Sequence, residues 1–286
     1  MKHFIWMLFG IFISGLLLGS LSACGADQFG ISVITTTKQP APSEAAPAEA
    51  PPSGEDTVPD EETARRMAYA QVLRDALVSG ILPNGEGLDW TSAEAAEENQ
   101  FAVCDLNGDG EEELLLRWTN ACMAGTADFV FRYESGAVSQ EFLEFAGVEF
   151  YTNGAAKAPW SHNQGWAGRF WPYNLYQYDQ EAKTYVELGA VDAWDLSNTE
   201  GDETLAAAFP KDADADGDGL VYYILTGDWY TNSRTPSDGN LDGRLWGVDP
   251  VDGPDHESWL NARTGGAEPV RLPLQKLTEE NIAALE

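Results

Sequence analysis

The chain has 286 residues and a formal net charge of −31, from 47 acidic and 16 basic side chains. That balance argues against nucleic acid or an anionic lipid surface as a partner and favours cations, although acid density also keeps an exported protein soluble without any ligand. Beyond the first 60 positions, about 225 residues of globular composition remain, enough for one large domain or two small ones with a core.

Residues 1–23 open with Lys2 and His3, continue as an apolar run over 4–18, and end in Gly19, Ser20 and Leu21-Ser22-Ala23-Cys24. A positive end, an apolar middle and small residues before a cut make a secretory signal. The run is shorter than the roughly 20 apolar residues of a lasting membrane span. An ordinary signal peptide with a chance cysteine is the alternative. Leu-Ser-Ala-Cys resembles the lipobox of bacterial lipoproteins. The resemblance implies diacylglyceryl on the Cys24 thiol, cleavage before it, and attachment through membrane lipid to the extracytoplasmic face of the cell membrane. Each buried methylene contributes about 0.8 kcal/mol, so two or more acyl chains hold firmly. Residues 24–60 read as a disordered tether. The part over 37–60 is rich in Pro, Ala, Glu and Ser, with Val58 its one large apolar residue. Such a segment buries too little to offset its ordering entropy, and its prolines keep it extended. The apolar stretch over 29–34 is compatible with tether or with lipid headgroups.

Residues 61–286 form the globular part. Ala64, Met67, Ala68, Val72, Leu73, Ala76 and Leu77 lie at helical spacing and predict a helix over 61–79, capped by Asp60 and ended by Gly80. Strands are expected over 100–104, 112–118, 128–133, 142–145, 148–152, 173–178, 184–188 and 220–226, a short helix over 204–209, and a closing helix over 278–285 capped by Thr278. The fold class is α+β: mainly antiparallel sheet and hairpins with an N-terminal helix and a short C-terminal one. Cys104 ends one strand and Cys122 lies beyond the far end of the next. In a simple hairpin that separates them, against the roughly 4.4–6.8 Å between Cα atoms that a disulfide needs, unless residues 119–125 fold back.

Three acidic loops carry the chemistry. In the first, Asp105, Asn107 and Asp109 fall at positions one, three and five, Gly110 at six, the Glu111 carbonyl at seven and Glu113 at nine. Calcium takes about six to eight oxygens, and alternate side chains on a tightly curled loop converge on one point. Position twelve is Leu116 rather than the bidentate Glu of an EF-hand, and the flanks read as strands. Residues 101–118 resemble the DxNxDGxxEL loops of bacterial secreted proteins, which implies calcium. A metal-free Asx turn is the alternative. In the second loop, either Asp212, Asp214 and Asp216 or Asp214, Asp216 and Asp218 fit, the latter with Gly219 at position six and no acid at nine or twelve. A solvated acidic turn fits as well. In the third, Asp238, Asn240 and Asp242 precede Gly243, and Asp249 stands at position twelve. Here too a turn without metal is the alternative.

Residues 158–195 crowd Trp160, Trp166, Trp171, Tyr173, Tyr176 and Tyr178. Exposed, such rings stack on sugars, with Trp160, Trp166 and Trp171 as the candidate glycan contacts. More often they are core. No GxSxG or HExxH motif occurs. Ser161 and His162 are not expected to pair, because neighbours on an extended chain point apart. A Cys122–His162 pair rests on residue type alone. The lipobox, acidic tether, opening helix and DxNxDGxxELL hairpin together resemble a group of uncharacterised Gram-positive lipoproteins. The expectation is a non-enzymatic, calcium-loop surface protein, displayed to a cell-wall or host glycan or protein. A glycan-binding module and an extracytoplasmic hydrolase are the rival readings.

Overall fold

The computed structural model describes residues 59–121, 125–162, 167–199, 201–227 and 243–286. Cys24, the tether to residue 58, Cys122, Trp166, Asp238, Asn240 and Asp242 lie outside the described residues. In chain order the elements are α1 (Glu61–Ser79), α2 (Ala93–Ala96), β1 (Gln100–Cys104), β2 (Glu113–Trp118), β3 (Ala127–Glu134), β4 (Ala137–Phe145), β5 (Glu149–Phe150), β6 (Ala155–Pro159), β7 (Tyr173–Asp179), β8 (Thr184–Asp195), α3 (Glu203–Ala208), β9 (Leu220–Leu225), α4 (Gly253–Thr264), β10 (Gln275–Lys276) and α5 (Glu279–Ala283). The class is α+β, and every strand pairing is antiparallel. None of the described helices is long and apolar enough to cross a membrane.

Two five-stranded sheets result, in the orders β10-β1-β2-β3-β4 and β5-β6-β7-β8-β9. Strand alternation sorts the first sheet's residues between two cores. Leu114, Leu116, Trp118, Phe129 and Phe131 face α1 and α5. Ala102, Leu115, Val130 and Phe142 meet Phe150, Ala156 and Ala158 of the second sheet. The far side of the second sheet is covered by α4 through Trp259 and Leu260, while Phe209 and Leu245 pack on the same face as Ala156 and Ala158, over β8 and β9. Helix α1 forms where its pattern predicts: Asp60 accepts from the Thr63 amide at 2.8 Å, and Gly80 takes the left-handed conformation that closes its last turn.

The structure departs from expectation most clearly in five places. Strand β8 runs on through Gly189 to Asp195. The glycine, which reads as a strand end, adjoins a register shift between β7 and β8, and its φ of 147° lets the strand bend and continue. Strand β4 begins earlier than expected, and strand β6, of sequence AAKAP, forms despite weak β-propensity because its alanines fill the gap between sheets. Helix α4 arises in a stretch to which the sequence pattern assigns no element: Asp252 caps it, Pro254 sits in its first turn, and Gly265 ends it. Ser161 and His162 do pair, with Oγ 2.9 Å from Nδ1, because they sit in a bend rather than an extended strand.

Candidate metal centre

The β1–β2 connection is held by its own acids. Asp105 accepts from the Gly108 amide at 2.7 Å and the Gly110 amide at 3.0 Å. Asn107 accepts from the Asp109 amide at 2.9 Å, and Asp109 from the Glu111 amide at 2.8 Å. Gly108 and Gly110 have φ of 78° and 90°, conformations that a Cβ resists. The Glu111 side chain points outward, 3.7 Å from Arg65, leaving its carbonyl as its one contribution to a shell.

Beneath this loop lie groups that the fold leaves uncompensated. Glu113 is 0 % exposed; one carboxylate oxygen accepts from the Leu106 amide at 2.8 Å, and the other has no hydrogen-bond partner. Glu141, whose side chain is 3 % exposed, has no hydrogen bond to either oxygen, and Arg132 Nε stands 3.9 Å away. The Asn107 amide nitrogen is buried and unpartnered, near enough to Glu141 to favour its ionised form but outside hydrogen-bonding geometry. Burial pushes the Glu113 carboxyl up to about 8, reinforced by Glu141, Asp109 and Asp105. Burial likewise pushes Glu141 up to about 7, with Asp109 adding to it and Arg132 opposing. Cys104, a free thiol at the end of β1, is pushed up to about 11 by burial and then by Glu113.

Other buried acids among the described residues are satisfied. Asp128, 0 % exposed, receives Arg117 Nε and Nη2 at 2.8 and 2.7 Å and the Gly147 and Val148 amides at 2.9 Å each. Asp195 receives the Arg169 and Ser197 amides and the Ser197 hydroxyl. A buried charge without a partner costs several kcal/mol, so acids are normally buried like Asp128. The Glu113–Glu141 pair is the exception, and it lies where a cation-binding loop needs additional oxygens.

Glu141 carries no sequence signal. The β3–β4 register passes from Val130↔Phe142 to Phe131↔Gln140, so Glu141 is the extra residue of a β-bulge. A bulge re-aims a side chain that strand alternation would send the other way.

The second loop has the same backbone in the later of the two registers. Asp214 accepts from the Gly219 amide, Asp216 from the Asp218 amide at 3.0 Å and Asp218 from the Leu220 amide at 2.8 Å. Gly217 and Gly219 repeat the positive φ, at 73° and 78°. Asp214, Asp216 and Asp218 each place an oxygen within 4.8 Å of the others, the one such acid trio among the described residues. Asp105, Asp109, Glu113 and Glu141 at the first loop contain no such trio. Arg169 reaches into the second loop, with Nη2 2.8 Å from the Asp218 carbonyl and 3.1 Å from its carboxylate. Asp249 is 74 % exposed and pairs with Arg244 at 2.6 Å.

The aromatic stretch divides. Tyr173 and Tyr178 are core. Trp160 donates to Asn174 and meets Trp246 edge-on, while Trp171 is 49 % exposed and donates to the Trp160 carbonyl. His256 is buried, its Nε2 2.8 Å from the Tyr173 hydroxyl and its ring stacked on Tyr222. Compared with known protein families, with curated proteins and with solved structures, the chain matches none.

Proposed function

We propose that this is an exported protein, held by lipid on Cys24, whose folded part is a calcium-stabilised module displayed outside the cell for binding or an envelope role rather than for catalysis. One observation carries the calcium reading: the acidic loop over 105–113 lies directly above buried carboxylate oxygens that no protein donor meets. Asp105, Asn107, Asp109, the Glu111 carbonyl and Glu113 supply the oxygen set a calcium ion takes, and the ion supplies the positive charge the interior lacks. Extracellular calcium modules bind at about 10⁻⁴ to 10⁻³ M, which suits a structural ion in a calcium-rich setting. The lipid reading rests on residues 1–24.

Thermal unfolding of the full chain in detergent, with millimolar calcium or with chelator, tests the first part. An ion at ten times its Kd stabilises by roughly 1.4 kcal/mol and at a hundred times by about 2.7 kcal/mol, a rise of several degrees for a chain of this size. An unchanged Tm sinks the calcium reading. Cys24→Ser should release the protein from the membrane fraction, and unchanged partitioning sinks the anchor.

A further inference from the structure

We infer that Glu141, from the bulge of β4, is a ligand of the cation held by the 105–113 loop, closing the shell from inside the protein and setting it for a calcium-sized ion over magnesium. The inference rests on the calcium reading of that loop and goes beyond it, because Glu141 belongs to another strand and to no loop motif.

The geometry carries it. Both Glu141 oxygens are buried and without hydrogen bonds, beside Asn107, Asp109 and Glu113. The nearest counter-charge is otherwise engaged: Arg132 Nη1 donates to the Tyr178 hydroxyl at 2.6 Å, and its Nη2 lies 3.7 Å from Glu134. Its Nε faces Glu141 at 3.9 Å without a hydrogen bond, so one guanidinium stands against four nearby acids, Asp105, Asp109, Glu113 and Glu141. The bulge at Glu141 is the local distortion that brings this carboxylate in. With Asn107 and the Glu111 carbonyl, the loop and its base offer six protein groups, two of them glutamates with buried oxygens that no protein donor meets; no three of the acids lie within 4.8 Å of one another, so an ion would draw them inward. Magnesium demands near-ideal octahedral geometry and keeps several waters, whereas calcium accepts six to eight oxygens in irregular arrangement. A shell this rich in protein oxygen fits calcium.

The test is calcium and magnesium titration of the full chain in detergent, unaltered and as Glu141→Gln and Glu144→Gln, with Tm recorded in chelator. Glu144 is the control, on the same strand but hydrogen-bonded by Tyr176. The expected result is at least a tenfold loss of calcium affinity and a smaller calcium-to-magnesium preference in Glu141→Gln. Its Tm in chelator should equal or exceed that of the unaltered chain, because a buried carboxylate without hydrogen bonds is replaced by a neutral amide of the same shape. Glu144→Gln should hold within twofold. If Glu141→Gln fails to fold, Glu141→Asp, which withdraws the carboxylate by one methylene, should show the same direction of loss. Calcium affinity unchanged in the Glu141 variant, or a lowered Tm in chelator with affinity intact, overturns the assignment and leaves Glu141 as a structural partner of Arg132. Absence of calcium binding by the unaltered chain overturns the loop reading as well.

Discussion

The loops over 105–110 and 214–219 share glycines at positions four and six, positive φ at both, and side chains at positions one, three and five that accept from the same amides. They differ in what surrounds them. The first stands over two buried glutamates and is pressed against the second sheet, where Gly154 leaves no room for a side chain beside the Asn107 carbonyl. The second opens to solvent and already holds a cationic group, the Arg169 guanidinium. An acidic loop conformation is therefore self-sufficient, made by Asx-type bonds and glycines. Demand for an external cation comes from the base on which the loop sits.

Matched glycine substitutions give the largest expected effect. A Cβ on Gly108 would stand 2.7 Å from the Thr152 carbonyl oxygen, while one on Gly217 meets nothing within 4 Å. Both pay the left-handed penalty of about 1–2 kcal/mol, and Gly108→Ala adds an overpacking cost of roughly 1–3 kcal/mol. Urea unfolding should show Gly108→Ala down by about 3 kcal/mol and Gly217→Ala by about 1 kcal/mol. Equal losses would mean that the first loop is no more anchored than the second.

Matched carboxylate pairs come next. Asp105→Asn with Asp109→Asn keeps the oxygens that accept from the backbone and removes charge; Asp214→Asn with Asp216→Asn does the same in the second loop. The first pair should abolish the calcium-induced stabilisation, about 2 kcal/mol, and the second should leave most of it. The reverse result would move the principal site to the second loop, whose acids are the closer together.

The sequence made the backbone of both loops readable, because spacing of Asp, Asn and Gly encodes local hydrogen bonds. Glu113 was readable too, at position nine of the first motif. What surrounds the loops was not. Glu141 enters through a bulge next to Phe142, which packs against the second sheet, and Arg169 arrives from a distant turn. The same limit explains the fold. Helix α1 and most strands follow from periodicity, whereas β6 and the far half of β8 exist because neighbouring strands offer pairing partners that their own residues do not advertise.

A smaller effect separates the two loops by pH. The second loop runs into β9, where Tyr222 stacks on His256 at 4.3 Å between ring centres. Around that imidazole stand the Tyr173 hydroxyl and the Phe170 ring, and burial, with the charge of Lys157, holds it down at about 4. A histidine depressed in the fold contributes stability that is full above its unfolded value of about 6.5 and is lost as pH falls through the folded one. Between pH 7 and pH 5 the loss should be about 1–2 kcal/mol. Titration of the acids under the first loop alters stability over the same range, so the informative quantity is the difference between the unaltered chain and His256→Phe. That substitution leaves the Tyr173 hydroxyl without its partner, a cost that does not vary between pH 7 and 5. It removes the imidazole, and with it the acid-dependent part of the difference. The gap between the two proteins should therefore narrow or invert on acidification, and a gap constant from pH 7 to 5 would show that His256 is free to protonate without disturbing the sheet beneath the second loop.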